Sequence, residues 1–296
     1  SSGFTLHNSS LFMDGGKGVN VSASYWGDYI PKYANISDVT IETQSTDSND
    51  AALSVESKIS AVIKDVAIVT KDACGLRLSG EGKTVAQDIT IGSKAQGAPL
   101  ISVDGEGDAI VKNIVATGQY SPRFFYAKNA GTLDANNLVF EGGETATGIV
   151  DEGTGVNSYS GITMTGNYSL GVQFESGGKK LSDIALNLTT DGIGVYCENV
   201  DMDVDRSKTI EITDVTIMGG KEGIDVISNN AVIPFVTTIK GVYLSQMEFP
   251  AYFCKGTATL DEVVIEDPPL YGGTGIEINA SDVKLSRSLI YDYNIG

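Results

Sequence analysis

A short pattern returns along almost the whole chain: an apolar residue, a polar pair, then an alternating apolar strand. It is nearly unchanged between SDVTI at Ser37–Ile41 and TDVTI at Thr213–Ile217. Looser copies start at Ile36, Ile63, Ala86, Val111, Ala135, Tyr159, Leu181, Ile212, Ile239, Leu260 and Leu285, so successive starts lie 21 to 31 residues apart. A unit of that length cannot bury its own apolar face, whereas stacked copies bury a continuous one, and this makes the period the mark of a solenoid.

The polar pair says which solenoid. Its second member is Asp38, Asp65, Asp88, Asn113, Asn137, Gly161, Asp183, Asp214 and Gly241, with Glu262 and Arg287 departing from the series. Asp, Asn and Gly tolerate left-handed backbone geometry, so their column predicts one sharp bend repeated at one corner of every coil. The strand that follows alternates with period two and favours β-branched residues, as in Val215, Thr216 and Ile217, which gives it one buried face. Residues directly after the bend should therefore stack as one interior column: Val39, Val66, Ile89, Ile114, Leu138, Ile162, Ile184, Val215, Val242 and Val263.

A second strand recurs in each unit, for example LISV at Leu100, GVQF at Gly171, GIDV at Gly223 and GIEI at Gly275. Two strands and a short third per coil leave no room for helices. Glycine, at 35 of 296 residues, and sparse helix formers agree with this. The expectation is an all-β, single-stranded parallel β-helix of about eleven coils, a rod on the order of 50 Å long at a strand spacing of roughly 4.8 Å. Residues 1–35 read as an N-terminal capping segment and first coil, and 36–296 as the β-helix, truncated at its C-terminus because YDYNIG stops inside a coil.

From Ile36 onward the chain resembles the pectin-lyase-like β-helices and, more narrowly, the passenger domains of bacterial autotransporter adhesins. The resemblance rests on the SDVTI and GIDV coil pattern and implies a right-handed solenoid. For function it implies an exported, cell-surface or secreted adhesin that binds a host glycan or an extracellular-matrix protein. The pattern speaks for fold more than for activity.

Charge and chemistry narrow the choice. A formal charge of −18 repels nucleic acid and anionic lipid surfaces. No run of 18 apolar residues is present to insert into a membrane as a helix. Polygalacturonase-like relatives of the fold are similar to one another in NTD, DD, GHG and RIK segments, none of which occurs here, and the only histidine, His7, falls outside the repeated pattern. No catalytic residue and no cofactor are assigned. Asp201, Asp203 and Asp205 alternate, so they share one face of an extended segment. Arg206 and Ile212 stand where a calcium loop needs Gly and Glu, so the trio reads as a solvated acidic edge that binds no metal. The thiols Cys74, Cys197 and Cys254 are expected to be free, since Cys197 and Cys254 sit about two strand spacings apart, roughly 10 Å, beyond disulfide reach.

Binding is expected where coils lengthen, because insertions in a stacked rod emerge as loops. Three lie in near-neighbour coils. They offer Asp201, Asp203 and Asp205 in one, Asn229, Asn230, Ile233 and Phe235 in the next, and Leu270 and Tyr271 in the third. Trp26, with Tyr25, Tyr29 and Tyr33, is either a cap over the open end of the stack or an aromatic platform for sugar. The competing readings are a polysaccharide-active lyase or hydrolase, tailspike-like enzymes included, and a module for self-association of rods.

Overall fold

A computed structural model describes residues 3–22, 33–94, 98–119, 123–143, 145–199, 208–229, 234–268 and 273–293. Among the described residues there is no helix, and the strands join in one sheet wound on itself, each pairing in parallel with a strand one coil away. The result is a parallel β-solenoid with two ladders. The corner ladder runs through Tyr33–Thr43, Ser60–Thr70, Thr84–Ser93, Ala109–Gly118 and Leu133–Gly142, and continues beyond Thr209–Met218. The second ladder runs through Ala51–Ser57, Cys74–Gly80, Pro99–Val103, Arg123–Ala127 and Ala146–Asp151 to Glu222–Ile227, Phe249–Cys254 and Ile276–Asn279.

Every corner residue read from the repeat has positive φ, Glu262 and Arg287 included, at values between 46° and 64°. The last two depart from the series in chemistry and keep its geometry. Asn8 adds a further corner at φ 48°, within Gly3–Met13, which pairs in register with Tyr33–Thr43. The N-terminal segment thus contributes a rung of its own, and His7 lies on that rung, its Nδ1 3.0 Å from Ser37 Oγ and 3.1 Å from Asp38 Oδ2. That corrects the reading of His7 as outside the coils. Successive corners are also tied by side chains: Asn113 Nδ2 donates to Asp88 Oδ1 and Asn137 Nδ2 to Asn113 Oδ1, both at 2.8 Å.

The expected interior column is buried throughout, from Val39 to Val263, with no member more than 3 % exposed. Its register is continuous from Val39 through Val66, Ile89, Ile114, Leu138, Ile162 and Ile184 to Val215. The second ladder answers with small residues where the core is thin. A Cβ on Gly194 would meet the Gly223 carbonyl oxygen at 2.6 Å and Ile217 Cδ1 at 2.7 Å, so glycine there is a packing requirement. All three thiols are free, with Cys74 and Cys197 buried. Burial pushes Cys74 up to about 12, as befits a small apolar side chain and not a nucleophile.

One interior position is occupied by a charge. Lys179 stacks between Asn157 and Ile210 and is fully buried with its partner Asp151. Its Nζ donates to Asp151 Oδ1 at 2.9 Å and to the carbonyls of Gly153 and Gly155 at 2.9 and 3.0 Å. The other carboxylate oxygen accepts from Asn157 Nδ2 at 2.7 Å and from the Tyr159 hydroxyl at 2.9 Å, and Asn157 exchanges two hydrogen bonds with Asn129. Lys179 is a structural cation.

Two expectations follow from the corner and the buried pair. Asp183→Val should destabilise the rod by about 1–2 kcal/mol in urea melts, since Asp183 has φ 55° and a β-branched side chain resists it, whereas Asp183→Gly should stay close to wild type; equal costs would contradict the corner argument. Lys179→Met should cost about 3–5 kcal/mol by stranding the Asp151 charge, and adding Asp151→Asn should recover part of the loss. A double variant no better than the single one would show that the pair is not coupled.

Candidate functional site

The second ladder buries Val172, Val195, Ile224, Ala251 and Phe253, and because strand side chains alternate, other positions on the same strands project outward. The register stacks Gln173 on Tyr196, Tyr196 on Asp225, Asp225 on Tyr252 and Tyr252 on Glu277, with Glu222 beside them stacked on Phe249. Tyr196, Glu222, Asp225, Ile227, Phe249, Tyr252 and Glu277 line a groove of about 360 Å³. Three aromatic rings and three carboxylates therefore meet on a regular stretch of sheet. The frame is rigid because its strands belong to the solenoid and not to a loop.

Asp225 is the unusual member. It is only 6 % exposed, and no protein N–H or O–H donor reaches its Oδ1. Burial pushes its carboxyl up to about 8, helped by a hydrogen bond to Glu222 and by the charges of Glu222 and Glu277, against the opposing pull of Lys221. The shift favours the protonated form of Asp225 relative to an ordinary aspartate. Lys221 Nζ lies 3.4 Å from Glu222 Oε1 and is itself part of a neighbouring groove lined by Asp191, Gly219, Gln246 and Glu248. Among the described residues no three acidic, histidine or cysteine side chains converge tightly enough to hold a metal ion.

The acidic and aromatic character extends along the rod. Tyr126 donates to Glu152 at 2.7 Å and Tyr196 to Glu198 at 2.8 Å, so each ring is fixed through its hydroxyl. Glu175 is raised above the usual carboxylate range by burial, then by Glu152 and Glu198. The Arg123 guanidinium lies 5.5 Å from the centroid of the Tyr126 ring.

Of the loop residues expected to bind, Asp201, Asp203, Asp205, Asn230, Ile233, Leu270, Tyr271 and Trp26 lie outside the described residues. Asn229 is exposed and donates its amide to Glu198, which brings it to the acidic stripe. Phe235 is a correction. Expected as an exposed ring, it is 1 % exposed within the hydrophobic core, its N–H bonded to Ser228 Oγ at 2.9 Å. It begins the inward alternation of Val236–Lys240, and Val236 is the residue left at the surface, 46 % exposed. The groove lies on regular strands and not at an insertion. Tyr196, Asp225, Tyr252 and Glu277 come from strands one coil apart, and only stacking the second strands in register reveals them as neighbours.

Fold and groove together define a parallel β-helix, compatible with the pectin-lyase-like shape, that carries an acidic, aromatic-lined groove on one ladder. No protein-family model matches the chain, and no curated protein or solved structure is significantly similar to it.

Asp225 should leave a trace in the pH dependence of stability. Its folded-state pKa lies above the ordinary 3.8, so the folded protein holds this proton more tightly than the unfolded chain. The resulting stabilisation is present in full below pH 3.8 and is lost as pH rises through about 8. Asp225→Asn removes that contribution. Urea melts across this window should show the wild type losing stability relative to the variant as pH rises, and parallel profiles would contradict the assignment.

Proposed function

We propose that this β-helix is a non-enzymatic adhesin, exported to the cell surface or secreted, which holds a host glycan in the groove of its second ladder. The observation that carries the reading is the union of flat ring faces from Tyr196, Phe249 and Tyr252 with the carboxylates of Glu222, Asp225 and Glu277. Pyranose rings present C–H faces that lie on aromatic side chains and hydroxyl edges that donate to carboxylates, so this pairing suits sugar. The sequence resemblance to autotransporter passengers supplies the surface location and the role of the rod as a spacer. A matrix protein is the other ligand that resemblance suggests.

One observation favours an enzyme instead: a carboxylic acid raised to about 8 beside a second carboxylate is the arrangement a general acid needs. Reducing ends or unsaturated products released from polysaccharides, and lost in Asp225→Asn, would establish that reading.

For the adhesin, Tyr252→Ala should leave circular dichroism unchanged and weaken oligosaccharide binding about tenfold in calorimetry, the loss of about 1.4 kcal/mol. Unaltered binding by the folded variant would remove the groove from the binding surface.

A further inference from the structure

The groove contains more acid than a neutral sugar needs. Glu222, Asp225 and Glu277 face the same space, and Asp225 is nine-tenths buried with an oxygen that no protein donor reaches. A buried polar atom without a partner is costly, and so is a set of carboxylates crowded in a partly desolvated cleft. The crowding of carboxylates is the cost a ligand can relieve, and the group that relieves it is a compact cation with several N–H donors. Resting on the glycan-binding reading of this groove, we infer that its ligand is an amino sugar with a free amine: an oligosaccharide of 2-amino-2-deoxy pyranoses, its ammonium against Asp225 and Glu222 and its rings on Tyr196 and Tyr252.

The alternatives fit less of what is present. A uronic acid brings a third kind of repulsion into a groove that already holds three acids, on a chain of formal charge −18. A neutral N-acetyl sugar offers one amide N–H and no charge. A metal ion needs ligands that converge, and among the described residues these do not. A lysine side chain carries the ammonium but has no ring to cover the faces of Tyr196, Phe249 and Tyr252.

Proton linkage gives the inference a signature of its own. Glu222 and Glu277 help to raise Asp225, while Lys221 opposes them, and Tyr196 and the buried Cys197 feel the same charge. A ligand already in its ammonium form adds a positive charge to that of Lys221 and favours loss of the Asp225 proton to solvent. At about pH 5.5, where the sugar amine is already an ammonium and cannot take up the displaced proton, binding is therefore accompanied by proton release, and the measured heat changes with the ionisation enthalpy of the buffer.

The test is isothermal titration of the protein at about pH 5.5 with the unacetylated β-1,4-glucosamine tetramer, its fully N-acetylated counterpart and lysine amide, each in two buffers. The amine tetramer is expected to bind at least about tenfold more tightly than the acetylated one and to release protons. Asp225→Asn and the more exposed Glu222→Gln should abolish both the preference and the release, with melting curves confirming that each variant is folded. Equal affinity for the two tetramers would overturn the amine inference while leaving a glycan groove. Binding of neither would overturn the glycan reading itself. Lysine amide bound as tightly as the amine tetramer would overturn the part played by the sugar rings.

Discussion

The whole architecture hangs on a backbone bend that most residues resist. Each coil must turn one corner with a residue at φ near 55°, and a missed turn would shift every following side chain to the wrong face of its strand. Asp, Asn and Gly carry most of these corners at little steric cost, and Glu262 and Arg287 carry two more where charge partners are at hand. Arg287 pairs with Asp261 and Glu262 of the preceding coil, so neighbouring layers hold the strained residue in place. The corner is thus both a local conformational choice and a link between layers.

From this one constraint the two faces of the rod follow. The bend fixes which residue points inward next, so Val39 to Val263 form one buried column, and the opposite ladder must leave room for it, with glycine at Gly194 where Ile217 approaches. Outward residues then stack at strand spacing, and chemistry scattered through the chain becomes contiguous. Asp225 and Glu277 are two coils apart in sequence and line one groove in space.

Corner and interior columns were legible in the sequence because both are periodic and depend on residue type alone. What lay beyond it depended on neighbours. Alternation marks Asp225 as outward, yet flanking residues of adjacent coils reduce it to 6 % exposure. Lys179 sits at an interior position because Asp151, Asn157 and the carbonyls of Gly153 and Gly155 converge there, and no local pattern announces their meeting. A ring near an insertion reads as part of the loop, yet Phe235 is buried immediately before the strand Val236–Lys240 that follows the insertion.

The buried tie around Lys179 also bears on how such a rod would carry load. A solenoid pulled from one end peels, because each coil is held only by its neighbours and yields in turn. Peeling that reaches the Lys179 layer meets a different bond pattern. Asn129, Asp151, Asn157 and Lys179 join successive coils through hydrogen bonds shielded from water, several of which must open together. The network would act as a stop partway along the shaft, dividing a uniform stack into two lengths that unravel at different forces.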